Sequence, residues 1–432
     1  MTSLLGLAAP VVASQAGGMM VTFADTYMVG RLGEASLGAV AFSSNLTVPV
    51  MFFGIGVATA VTPLIGRRLG RGRSGDIGQA VHHAWRMNWG LTALMVGVLL
   101  VLWALTPLMG QPDEVLELSK VYLPIVIASM VGQQMYVAAK TIVEGLQDTR
   151  TPMVVTLSVN VLNIVGNYVL IFGLGPIPAM GVNGAAVSTL IARIVAWVWM
   201  ESAMHRKLRR MGIEPHPSGR KGVGLRLFKM GLPVGAQSVV ECIGFTFGGI
   251  MMGWLGTETL AAHQVVNLFT SLTFLMAVGI GTAVTVKVSV SCGLQDYSAA
   301  RRYTLAGLSV VGLAMALSAA ALVGLRDVLP GFFLDEGESL RVASWLMIAG
   351  AGFQLFDGLQ ATSIGALRGY GDLRYPAVVA GIAYACTCIP VGYVMSQVLG
   401  LGGPGVWCGF IVGLGLACVL LLHRLRVKVF RR

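Results

Sequence analysis

Hydrophobic residues in this chain fill runs of twenty and more positions, broken by short polar connections. From Met1 to Ala24 there is no Asp, Glu, Lys or Arg, and residues 376–422 carry no formal charge. The second stretch is long enough for two membrane crossings at about 20 residues each. Windows of about 19 residues predict helices near 4–31, 37–66, 80–108, 119–145, 152–174, 182–204, 227–255, 259–289, 302–328, 339–367, 375–400 and 404–424. Several exceed the hydrocarbon thickness, which implies tilt or protrusion.

The connections divide by charge. Arg67, Arg68, Arg71 and Arg73 follow the second run, Arg150 the fourth, and Arg206, Lys207, Arg209, Arg210, Arg220 and Lys221 the sixth. Arg301 and Arg302 follow the eighth, Arg368 and Arg374 the tenth, and Arg424, Arg426, Lys428, Arg431 and Arg432 end the chain. The alternate connections are uncharged, as in GLGPIPAMG and GLGGPG, or hold acidic groups such as Asp113, Glu114, Glu117, Asp335, Glu336 and Glu338. Basic loops mark the cytoplasmic side, so both termini are expected there and the number of crossings is even. The net charge of +11 therefore reports topology, and no nucleic-acid partner is expected. Only 11% of the 432 residues are charged and 55% are hydrophobic. A soluble domain is nearer a quarter charged, so lipid must cover this surface. The expected fold class is an all-α polytopic membrane protein.

The chain repeats itself. With a shift of 223, Pro10 falls on Pro233, GRLG at 30–33 on GWLG at 253–256, Gly56 on Gly279, and TAVT at 59–62 on TAVT at 282–285. With a shift of 224, DTRTP at 148–152 falls on DLRYP at 372–376. This predicts two pseudo-symmetric six-helix lobes, 1–204 and 227–432, joined by a basic cytoplasmic linker over 205–226. An even number of helices per half makes the repeat parallel, with a central cavity expected between the lobes. The first run lacks a basic leader and resembles an internal segment, so it is expected to be retained body rather than a signal peptide.

Carboxylates inside apolar runs are expensive and are functional candidates by default. Three stand out: Asp25, Glu241 and Asp357. Their repeat counterparts are Gly248, Gly18 and Gln133, so the architecture itself does not require the charges. Asn163 and Asn167, four apart, share a face of the fifth helix, with Asn160 one turn before. Their amides suit either a hard cation or a carboxyl group, or interhelical hydrogen bonding. Lys140 and Glu144 have the spacing of a structural i, i+4 pair. Arg193, mid-helix, has no evident partner, and His263 reads as structural. The six cysteines lie in or beside apolar segments and read as small packing residues; no metal or disulfide role, and no cofactor, is expected.

The segment ADTYMVGRLG after a proline-bearing first helix, AAHQV at 261–265, FDGLQATSIGALRGYGDLR at 356–374, and GLPVG leading to Glu241 together resemble the multidrug and toxic compound extrusion (MATE) family, in its NorM-like branch. The resemblance covers essentially the whole chain. It implies a secondary exporter of drugs and organic cations by alternating access, coupled to Na⁺ or H⁺, monomeric and multi-pass in a bacterial inner membrane. By position it implies an amino-lobe ion site of Asp25, Asn163, Asn167 and Thr189, a carboxy-lobe acidic pair of Glu241 and Asp357, and a helix-bending role for Pro10. Two departures stand out: some relatives have aspartate where Asn167 stands, and some have tyrosine where Phe353 stands. Three other readings compete. A lipid-linked oligosaccharide flippase of the same superfamily would use Arg193 for pyrophosphate. A membrane-embedded transferase would need a catalytic constellation, and the sequence shows no paired His/Asp, metal-spaced cluster or phosphate loop. A passive channel would not need two matching halves with unlike charges.

Overall fold

The computed structural model describes residues 2–217, 222–334 and 337–430. Arg220, Lys221, Asp335, Glu336, Arg431 and Arg432, used above to orient the chain, lie outside them. Among the described residues, twelve helices are long and apolar enough to cross a membrane: α1 Ser3–Gly30, α2 Glu34–Gly70, α3 Ser74–Leu108, α4 Asp113–Gly145, α5 Arg150–Phe172, α6 Val182–Arg210, α7 Val223–Trp254, α8 Thr257–Gly293, α9 Tyr297–Gly324, α10 Glu338–Gly369, α11 Arg374–Val398 and α12 Gly402–Val429. Each predicted run has its helix, and most extend past the predicted ends. The segment 205–226 is only partly a linker, because α6 continues to Arg210 and α7 begins at Val223. The basic residues that close α6 suit the negative end of its dipole.

The repeat is visible in backbone conformation. Gly33 before α2 and Gly256 before α8, equivalent under the shift, both adopt positive φ, 108° and 113°. A side chain is strained there, which explains the shared final glycine of GRLG and GWLG. Two other left-handed positions keep their geometry and change their residue. Gly72 pairs with Gln295 (φ 67° and 63°), and Gln147 with Gly371 (φ 63° and 79°). The TAVT segments behave differently. The α2 helix breaks between Thr59 and Val61, whereas α8 runs unbroken through the equivalent residues. Pro63 in α2 lacks an amide hydrogen and crowds the preceding turn; its counterpart, Val286, does not.

The chain divides into two compact units, one of Met1–Val12 with Ala236–Arg432 and the other of Ala13–Gly235. This differs from the division at 205–226 that charge and repeat arithmetic suggest. The breaks fall inside α1 and α7, at positions equivalent under the shift of 223. Packing gives the reason. Within the second unit, a Cβ on Gly56 would lie 2.7 Å from the backbone of Val234 and Gly235, at the start of α7. Within the first, a Cβ on Gly279 would lie 2.9 Å from the Ala8 carbonyl, at the start of α1. The repeated glycines are therefore seats for the repeated helix starts.

At the basic ends of the helices a second matched device appears. Asp148 accepts hydrogen bonds from the Thr151 amide (3.0 Å) and hydroxyl (2.8 Å) and pairs with Lys207 at the end of α6 (3.0 Å). Its equivalent, Asp372, pairs with Arg424 (2.8 Å) and Lys428 (3.5 Å) at the end of α12. Burial alone would raise the Asp148 carboxyl, but the Thr151 and Lys207 hydrogen bonds outweigh it and hold the group below the usual carboxylate range.

Candidate functional site

In the unit of residues 13–235, Asp25 on α1 accepts a hydrogen bond from the Asn167 side-chain amide on α5. One turn earlier Asn163 donates to the Ser188 hydroxyl (3.4 Å), which donates to the Asn163 backbone carbonyl (3.0 Å). The side-chain oxygens of Asn163 and Asn167 are buried with no partner. Orphaned buried acceptors are rare in folded proteins, and two beside a carboxylate suit a cation or a donor. The α6 residue in this group is Ser188. Thr189, expected from the resemblance, forms no hydrogen bond with it, because on a helix adjacent residues point about 100° apart.

Arg193 belongs to the same surroundings. It donates to Ser129 Oγ (2.7 Å) and reaches Met130 Sδ (3.9 Å) on α4. Its charge acts on Asp25 and on Tyr122, yet among the described residues it forms no ion pair within 4 Å. Gly132 lets α4 approach the Arg193 backbone closely; a Cβ there would lie 2.9 Å from it. Ser129, Tyr122 and Ser188 were not legible in sequence, since nothing marks which small polar residues of different helices face each other. Lys140 and Glu144 do pair, at 3.8 Å, with Glu144 buried.

In the other unit, Glu241 on α7 and Asp357 on α10 lie within electrostatic range of each other and of Tyr384. Asp357 is 8% exposed. Gln360, one turn on from it, has a buried side-chain oxygen with no partner. Tyr384 sits in a π-helical stretch of α11, Ile382–Cys388, a local widening that is frequent at functional sites. Gly244, one turn after Glu241, makes room for its ring; a Cβ would lie 2.6 Å from it. Phe353, one turn before Asp357, packs edge-on to Trp407 at 5.4 Å and near Phe245 and Phe410. His263 is buried against Trp407 at 5.7 Å. Pro10 lies within an unbroken α1. All six cysteines are free thiols.

Twelve helices among the described residues that are long and apolar enough to cross a membrane, in two repeated halves that each hold acidic groups within their helices, define a polytopic membrane protein of the transporter class. The MatE family model matches the chain twice, over residues 10–169 and 233–394, and the chain belongs to that family of multidrug efflux transporters. It is 31% identical to multidrug resistance protein NorM of Photobacterium profundum, over 98% of this chain and 94% of the relative. It is 32% identical to the probable multidrug resistance protein NorM of Rhizobium meliloti, over 97% and 92%. Among solved structures, a MATE in complex with MaD3S superposes with a TM-score of 0.91 at 18% identity, covering 99% of this chain and 95% of that one.

Proposed function

We propose that this protein exports organic, mainly cationic, compounds in exchange for Na⁺ or H⁺, by alternating access across a bacterial inner membrane with both termini cytoplasmic. The observation that carries this reading is that Asp25 and Glu241 each accept a hydrogen bond from a side-chain amide, that Asp357 is buried near Glu241, and that none of the three forms an ion pair within 4 Å among the described residues. A carboxylate away from water and without a counter-ion either takes a proton or takes a cation. A lipophilic cation satisfies it in one step of the cycle and the coupling ion in the other, so each displaces the other. Asn163 and Asn167 supply the orphan oxygens in one half, and Gln360 in the other. Inward passage of one coupling charge through 100 mV contributes about 2.3 kcal/mol.

The flippase reading rests on Arg193 as a pyrophosphate ligand. That guanidinium is engaged by Ser129 and Met130 and shares its surroundings with the carboxylate of Asp25, which disfavours a polyanion. The test is efflux of ethidium from proteoliposomes under an imposed Na⁺ gradient or an imposed pH gradient. Acceleration by either gradient over the no-gradient control is expected; equal rates in all three would overturn the reading.

A further inference from the structure

Gln237 stands one turn before Glu241 on α7 and is 2% exposed. Its side chain has two different neighbours. Its amide nitrogen donates to Glu241 Oε1 at 2.9 Å, and its carbonyl oxygen accepts from Arg368 Nη2 at 3.2 Å. The orientation of the amide is fixed by chemistry, since a guanidinium only donates and a carboxylate only accepts. Arg368 lies three turns along α10 from Asp357 on the same face, about 16 Å down the axis. Its Nε is buried without a partner, and among the described residues it forms no ion pair, although its charge and that of Glu241 act on each other.

A half-buried guanidinium with a spare buried donor, in range of a half-buried carboxylate, should close into an ion pair, because neither charge is well satisfied alone away from bulk water. Here a neutral amide stands between them and satisfies one hydrogen-bonding group of each. We propose that Gln237 is an insulating bridge: it parks Arg368 on its carbonyl and so keeps the Glu241 carboxylate from being consumed by an internal cation. The purpose of the bridge rests on the exporter reading, in which Glu241 must stay open to an incoming cation. Few other side chains can do this. Alanine or methionine offers neither bond, and a carboxylate or an amine would add a third charge.

The test uses full-length protein in liposomes and N,N′-dicyclohexylcarbodiimide, a lipid-soluble reagent that forms an adduct with free buried carboxyl groups and spares ion-paired ones. Adduct at Glu241 is read by peptide mass spectrometry. Wild type is expected to label. Gln237→Ala lets Arg368 close on Glu241, and labelling falls by about tenfold, the effect of one new close charge pair. Gln237→Met, which keeps the volume and loses both hydrogen bonds, gives the same fall and serves if the alanine variant does not fold. Gln237→Ala with Arg368→Gln returns labelling to the level of Arg368→Gln alone. A wild type that does not label, equal labelling of all variants, or a double variant that stays unlabelled would each overturn the bridge. Protection of wild-type Glu241 by tetraphenylphosphonium or Na⁺ checks the exporter reading separately: its absence sinks that reading, whereas unrescued loss sinks only the bridge.

Discussion

The Asn167 side chain, on α5, donates its amide hydrogen to the carboxylate of Asp25, on α1. The bond joins residues 142 apart in the chain and leaves the Asn167 oxygen without a partner. Asn167 thus acts on Asp25 as a donor while offering an acceptor to a third species.

Asn167→Ala should therefore weaken transport without removing the charge. A hydrogen bond to a charged group contributes about 1.5–3 kcal/mol, so initial rates of gradient-driven ethidium efflux should fall by about tenfold or more. Asp25→Asn and Asp357→Asn should each lower coupled efflux further in folded protein. Wild-type rates in all three variants would remove these residues from the site.

Two helix glycines, one repeated and one not, make a contrasting prediction. Gly56→Ala drives a Cβ into the Val234–Gly235 backbone and should cost about 1–3 kcal/mol, as overpacking does. Gly18→Ala, where nothing lies within 4 Å, should be neutral or slightly stabilising, since alanine favours helix. Survival of monodisperse protein after graded heating, read by size-exclusion chromatography, separates the two.

Gln295 holds a left-handed conformation that its repeat partner leaves to Gly72. Gln295→Gly removes a strain of about 1–2 kcal/mol, less the added chain entropy of glycine. The midpoint of heat inactivation should rise by a small, measurable amount. A fall would show that the side chain contributes more than its backbone costs.

Asp148 links stability to pH. Its carboxyl is held below its ordinary value in the folded protein, so its contribution is present above the unfolded value of about 3.9 and fades as pH falls through the lower folded value. Because the group is partly exposed, the contribution is under about 1 kcal/mol. Asp148→Asn should destabilise at neutral pH and flatten the loss of stability on acidification below about pH 4. An unchanged acid limb would refute the assignment.

Much of this architecture was legible beforehand because lipid imposes a coarse rule: a crossing must be long, apolar and helical, whatever its neighbours. The count of helices, the repeat, and Asp25, Glu241 and Asp357 as unusual charges all follow from that rule applied position by position. That Ser188 rather than Thr189 joins the Asn163 hydrogen bonds was not legible, because the choice between adjacent residues depends on helix rotation, which sequence spacing leaves open.

What the sequence determined by itself is where each helix runs, which loops are basic, and that two halves share one plan, since these depend on local composition and on comparison of the chain with itself. The tertiary structure alone decided that the starts of α1 and α7 belong to the unit of the other half, that Arg193 stands off Asp25, and that Gln237 separates Arg368 from Glu241. Those relations join side chains far apart in the chain, and their energies depend on distance and burial, which no local pattern encodes.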